Sequence, residues 1–237
     1  MIIVITGPTA TGKTLLSETI AKKYDAIIIN ADSRQIYKEL NIGTAKPKKE
    51  ELDDNHYLFD KISITKEYNA FNYQKDVRKI IKDNPNKNIV IVGGTGLYIK
   101  AALYDYDFSS NNKDKLLYDA LFIGLTTQRD NLYKRIDDRV DVMFKEGLLE
   151  EAKNLFTEYS DNKILNNTIG YQEFKDYFKN KITLDEVKEK IKLNSRHYAK
   201  RQYTWFNNQM NINWFDVNYN DFNKTIDEVL LYIKNNF

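Results

Sequence analysis

Three short stretches of this sequence combine residue types at spacings that could do chemistry. The first is GPTATGKT, residues 7–14. It meets the pattern G-x-x-x-x-G-K-[S/T], and it sits between an apolar run and a helical stretch, the context that pattern requires. Gly7 and Gly12 permit a tight backbone path, so successive amides turn inward and the helix that follows adds partial positive charge. Gly7, Pro8, Thr9, Ala10, Thr11, Gly12, Lys13 and Thr14 are therefore expected to hold a phosphate group. Lys13 would neutralise its oxygens, and the Thr14 hydroxyl could ligate Mg²⁺. The second stretch is ADSRQ, which places Asp32 directly after the apolar run AIIIN. From spacing alone, Asp32 is either a general base or a helix N-cap. The third is GGTGLY, residues 93–98, which offers the Thr95 hydroxyl in a glycine-rich turn.

The loop does not choose its own ligand. A nucleotide hydrolase usually sets an acidic residue at the end of a neighbouring strand to help hold Mg²⁺. Here NIVIV runs into GGTGLY without a carboxylate. The layout is that of a phosphate-binding α/β domain lacking the usual hydrolase partner.

The elements that must position these residues follow from the apolar pattern. IIVIT, AIIIN and NIVIV read as strands buried on both faces. ALFIGL at 120–125 and NWFDV at 213–217 are weaker strand candidates. Helices are predicted over 13–23 and 71–82, and strand–helix alternation implies parallel strands joined by crossovers. The second half is mostly helical. Leu132, Ile136, Val140, Met143 and Leu148 form one apolar face, with a break predicted at Gly147. LDEVKEKIKLNSRHYAKRQYTWFNNQ reads as a second long helix. The stretch around 107–118 has the composition of a linker. The fold class is thus α/β, a parallel sheet of the P-loop NTPase-like kind flanked by helices, with a helix-rich C-terminal half and a single domain over 1–237.

Composition narrows the function. The chain has 237 residues, 42% of them hydrophobic, enough for one sizeable core. Thirty-six basic residues oppose 34 acidic ones, which argues against a general nucleic-acid coat and leaves room for a local basic patch. With no cysteine and two histidines, disulfides, thiolate catalysis and a Cys or His metal site are excluded or disfavoured. No apolar run approaches the ~20 residues of a membrane span, and no secretory signal is evident, so a cytoplasmic protein is expected. Lys192, Arg196 and Lys200 recur at four-residue spacing with Arg201, Tyr203 and Trp205 beyond, a basic stripe that would suit single-stranded RNA or serve as a solvated helix face.

The ordered set GPTATGKT, NADSRQIYKELNIGTAKP, IVGGTGLYIKA, RVDVMFKEGLLEE, TIGYQEF and RHYAKRQYTWF resembles the tRNA dimethylallyltransferase family, over a span reaching about residue 206. The resemblance implies that the loop holds the diphosphate of dimethylallyl diphosphate rather than a triphosphate. It implies transfer of the prenyl group to the exocyclic amine of an adenosine beside the anticodon of tRNA, assisted by Mg²⁺. It makes Asp32 the general base. It places Ser33, Arg34, Gln35 and Thr95 against the target nucleotide in the anticodon stem-loop, and adds Lys13 and Thr95 to the catalytic residues. Arg129 is a candidate for a further diphosphate contact, and Lys192, Arg196 and Lys200 for RNA contact. The protein is expected to act as a monomer.

The family usually carries a helical insertion between the GGTGLY helix and the strand matching ALFIGL, and this chain has only the 107–118 linker there. Two other readings of the residues stay open: a prenyltransferase acting on free adenine nucleotides, and a P-loop kinase of small molecules that binds ATP.

Overall fold

The structure, a computed structural model, describes residues 1–109 and 115–237. The apolar runs form a six-stranded sheet, every ladder parallel, in the order β3-β2-β4-β1-β5-β6. The strands are β1 (Ile2–Thr6), β2 (Ala26–Asn30), β3 (His56–Tyr57), β4 (Asn88–Val92), β5 (Ala120–Thr126) and β6 (Asn213–Asp216). Alternate residues of one strand face opposite layers. Ile2 and Val4 enter the larger core with Ile27, Ile29, Ile89 and Ile91. Ile3 and Ile5 enter the other, with Ile28, Val90 and Val92. Burial on both faces explains why these strands read as unbroken apolar runs.

Two helices close the smaller core, α1 (Lys13–Tyr24) through Leu16 and Ile20, and α8 (Phe222–Asn236) through Val229 and Ile233. The opposite face is covered by α2 (Ala70–Asp83), α3 (Gly96–Leu103), α4 (Arg129–Lys145), α5 (Leu148–Tyr159), the short α6 (Phe174–Tyr177) and α7 (Leu184–Gln209). The predicted break at Gly147 is present: Gly147 has φ +104° and separates α4 from α5. A Thr183–Glu186 capping box starts α7, which runs for 26 residues.

Three elements have no counterpart in the sequence reading, β3, α6 and α8. The linker around 107–118 is entered through an antiparallel bridge between Tyr104 and Leu116, and residues 110–114 lie outside the described residues. Among the described residues no helix is long and apolar enough to cross a membrane.

The strand order decides where the chemistry meets. β2, β4 and β1 are consecutive neighbours. Their carboxyl ends lead into residues 31–35, 93–95 and 7–12, so Asp32, Thr95 and the glycine-rich loop emerge side by side at one edge of the sheet. That edge is where open parallel sheets bind ligands.

Candidate active site

The loop after β1 is held by close backbone approach. Gly7 has φ +128°, and a Cβ there would fall 2.4 Å from the Leu125 carbonyl oxygen. The Thr11 hydroxyl donates to the Pro8 carbonyl at 2.9 Å. Lys13 Nζ donates to the carbonyls of Gly7 and Pro8 at 3.0 and 2.6 Å. Burial of this ammonium, with the Arg139 guanidinium beside it, brings its pKa down to about 7, against an opposing pull from Asp32. Arg139 Nη1 donates to Thr9 Oγ1 at 2.9 Å, and Arg135 Nε donates to the Ala10 carbonyl at 3.2 Å. Arg135 also lies 4.2 Å over the Tyr219 ring.

Asp32 is oriented from both sides. Its backbone N–H donates to Asn30 Oδ1 at 2.9 Å, and its Oδ1 accepts the Arg34 N–H at 2.8 Å. Residues 33–36 form a turn rather than a helix, so Asp32 caps a turn with one oxygen. Its Oδ2 has no hydrogen-bond partner among the described residues. Thr95 stands one step behind. Its Oγ1 accepts the Ser33 N–H at 3.0 Å and lies near the Tyr198 hydroxyl, while its own N–H donates to the Ala31 carbonyl at 3.0 Å. Burial and the nearby Asp32 push the Tyr198 hydroxyl up to about 12. Gln202, 5% exposed, joins two loops: its Oε1 accepts the Thr9 N–H at 3.1 Å and its Nε2 donates to the Gly94 carbonyl at 3.0 Å.

Two cavities meet at this point. The first, about 490 Å³, is floored by residues 9–14 and also takes in Gln35, Arg135 and Arg139. The second, about 390 Å³, is lined by Ser33, Arg34, Asn167, Thr168, Gln172, Asn194 and Arg201 among others. Thr9, Asp32, Thr44, Arg139 and Tyr198 belong to both walls. Asp32 therefore stands on the boundary between a phosphate-binding space and a second, polar one.

Several expected residues fall elsewhere. Thr95 lines neither cavity and acts on the site through Ser33 and Tyr198. Arg129 is the exposed first residue of α4, 5.0 Å over the Tyr133 ring, and is also outside both cavities. Ten residues separate it from Arg139, about 15 Å of helix. Arg135 and Arg139, one turn apart, line the first cavity. Lys192 pairs with Asp141 at 3.1 Å and Arg196 with Asp137 at 2.8 Å, so most of the basic stripe ties α7 to α4. Lys200 is exposed and has no ion-pair partner among the described residues. Trp205 packs against the larger core beside Gly96. Gln35 pins its neighbouring loop by donating to the carbonyls of Thr44 and Ala45 at 3.0 and 3.2 Å. The sequence reading missed Arg139, Tyr198 and Gln202 as site residues. The available signal was four-residue spacing, Arg135 to Arg139 and Tyr198 to Gln202, on helices already assigned.

Among the described residues no group of three His, Asp or Glu side chains could form a metal cage. Thr14 is exposed at the loop's end, and its hydroxyl has no hydrogen-bond partner among them. That donor set fits Mg²⁺, which takes few protein ligands and completes its shell with phosphate oxygens and water.

A parallel α/β sheet with an anion-gripping loop at its carboxyl edge, and an oriented carboxylate where two cavities join, defines an enzyme that moves a group from a phosphorylated donor to an acceptor. Comparison with known proteins gives the family. The IPP transferase family model matches residues 35–116 and 107–209, two segments that meet at the linker. A tRNA dimethylallyltransferase of Fusobacterium nucleatum is 38% identical over 276 residues, covering 91% of each chain. One from Anoxybacillus flavithermus is 36% identical over 301 aligned positions, covering all of this chain and 97% of its own. The solved tRNA isopentenylpyrophosphate transferase of Bacillus halodurans superposes with a TM-score of 0.89 at 31% identity, covering 99% of this chain and 96% of that one. The corresponding structure from Staphylococcus epidermidis gives 0.88 at 32% identity, covering 99% of both. This chain belongs to the tRNA dimethylallyltransferase family.

Proposed function

We propose that this protein transfers the dimethylallyl group of dimethylallyl diphosphate to the exocyclic amine of an adenosine next to the anticodon of tRNA, releasing diphosphate. The observation that carries the reading is the position of Asp32, with one carboxylate oxygen unbonded, on the wall shared by the phosphate cavity and the second cavity. The relatives, both tRNA dimethylallyltransferases, support tRNA as the acceptor. They disfavour a free adenine nucleotide or a kinase reaction.

The chemistry follows from that geometry. The allylic C–O bond breaks with its electron pair leaving on the diphosphate. The adenine nitrogen forms the new C–N bond, and its proton passes to Asp32 Oδ2. Lys13 and Arg139, with the loop residues, line the cavity in which charge grows on the leaving oxygen and would stabilise it. Thr14 would hold Mg²⁺, which when bound neutralises further phosphate charge. Tyr198, kept neutral at physiological pH, closes the boundary beside Asp32.

Incubation with labelled dimethylallyl diphosphate and, in turn, tRNA, AMP and ATP tests this. Label is expected in tRNA alone. Asp32→Asn keeps an acceptor for the Arg34 N–H but loses the base, so the rate should fall by roughly 10²–10⁴-fold while pyrophosphate binding and folding persist. Turnover of Asp32→Asn near the wild-type rate would place the base elsewhere.

A further inference from the structure

The second cavity contains an arrangement that the transfer chemistry does not use. Glu173 is 6% exposed and does not line the cavity itself. Its Oε2 accepts the Gly170 N–H at 2.9 Å. Its Oε1 accepts from two side-chain amides, Gln172 Nε2 at 3.1 Å and Asn194 Nδ2 at 2.8 Å. Both of those side chains do line the cavity. A carboxylate can only accept, so both amides are obliged to turn their NH₂ groups toward it. Neither amide oxygen has a hydrogen-bond partner among the described residues. With one N–H of each NH₂ held by Glu173, each side chain keeps its oxygen as its sole acceptor, turned away from Glu173, and one further N–H.

The position of these acceptors separates them from the reaction. Asp32 lies on the shared wall, whereas Gln172 and Asn194 belong to the second cavity alone. An adenine whose amine reaches Asp32 has no second exocyclic donor to offer them. On the reading that RNA occupies this cavity, we infer that Glu173 is a positioning residue that fixes the Gln172 and Asn194 amides as acceptors, and that they select a hydrogen-bond donor of the RNA other than the reacting amine. RNA's donors besides that amine are the exocyclic amines and ring N–H groups of neighbouring bases and the ribose 2′-hydroxyls, and the inference is for a neighbouring adenine amine or a 2′-hydroxyl.

The test uses binding rather than turnover, so it stands apart from the prenyl-transfer assay. Anticodon-type RNA hairpins carry single changes around the target adenosine, either adenosine to purine riboside, which deletes the amine, or ribose to deoxyribose, which deletes the hydroxyl. Affinity is read by fluorescence anisotropy. One change at a position other than the target amine should weaken wild-type binding roughly 10-fold, the usual cost of leaving a polar site unpaired. Whether it falls in the purine-riboside or the deoxyribose arm identifies the donor. In Glu173→Gln, the new Oε1 can take the Gly170 N–H and the new NH₂ faces the two amides. They must then flip and present NH₂ groups to the cavity, so the penalty should vanish. Asn194→Ala leaves the Glu173–Gly170 bond intact and removes one acceptor, so it should reduce the same penalty even if Glu173→Gln folds poorly. Pyrophosphate affinity should be unchanged in both. The inference is overturned if no such change costs the wild type more than about twofold, or if the penalty persists undiminished in the variants. A protein that shows the discrimination but fails to prenylate RNA would refute the proposed reaction and leave this inference standing.

Discussion

At the scale of single residues, Lys13 has the most consequential environment. Its pKa of about 7 in the free protein lies far below the usual 10.5 because burial and Arg139 disfavour its charge. The folded chain therefore binds fewer protons at this site than the unfolded chain between those two values. Stability gained through Lys13 rises with pH across that window and is absent below about 7. A bound diphosphate restores the charge, so binding at pH 8 should take up a proton. Calorimetric titration of pyrophosphate in buffers of different ionisation heat measures this. Lys13→Arg, whose guanidinium stays charged, supplies the ligand's own proton balance. The wild type should take up about one proton more than Lys13→Arg at pH 8, and little more at pH 6. Equal uptake at pH 8 would mean that Lys13 is already charged in the free site.

At the scale of elements, the loop following Asp32 is held in place by a residue from each of two distant segments. Glu151 of α5 accepts the N–H groups of Ile42 and Gly43 at 3.1 and 3.2 Å. Tyr171, fully buried, donates its hydroxyl to Glu151 at 2.6 Å and accepts the Gly43 N–H at 3.0 Å. Thr44 and Lys46 are engaged inside this loop. Thr44 bonds the Leu40 and Asn41 carbonyls, and Lys46 bonds Tyr37 and Asp60. Because Thr44 lines both cavities, the clamp couples α5 to the site. Tyr171→Phe should cost about 1–3 kcal/mol, seen as a fall of several degrees in Tm, and should raise KM for RNA more than it lowers kcat. An unchanged melting curve would mean the loop is held without this hydroxyl. The sequence disclosed the strands and long helices because burial on both faces leaves unbroken apolar runs, and helix faces leave 3.6-residue periodicity. It could not disclose β3, whose two residues His56 and Tyr57 carry no period, nor the clamp, whose members are 20 to 128 positions apart. α8 was legible in principle, since Ile226, Val229 and Ile233 mark one helical face. Asp32 and the phosphate loop were readable from local pattern. Arg129 lies outside both cavities, and composition along a helix does not say which arginine turns inward.

At the scale of the whole molecule, the question is how a nearly neutral chain, 36 basic residues against 34 acidic, would hold a polyanion. Two members of the predicted stripe are already engaged: Lys192 with Asp141 and Glu189, and Arg196 with Asp137. Those pairs fasten α7 to α4 and so support the wall of both cavities. The cations that line the second cavity are Arg34, Arg139 and Arg201, with Lys200 exposed one residue before Arg201. The Anoxybacillus relative aligns over 301 positions while this chain has 237 residues, so the relative carries stretches that this chain lacks. RNA held without those stretches is expected to make fewer phosphate contacts, and each contact contributes about 0.7–0.9 to the slope of log affinity against log salt. The slope for tRNA should therefore be shallow, and an isolated anticodon stem-loop should bind almost as tightly as the whole tRNA. Replacing Lys200 and Arg201 by alanine should flatten the slope by roughly 1–2, whereas replacing Lys192 and Arg196 should lower Tm more than it changes the slope. Titrations of tRNA and stem-loop over a range of salt, with melting curves for both double variants, distinguish these cases. A steep tRNA slope with much weaker stem-loop binding would require a second RNA-binding surface away from the cavities. Loss of slope in the Lys192 and Arg196 variant at unchanged Tm would mean that RNA displaces the aspartates and takes over their cations.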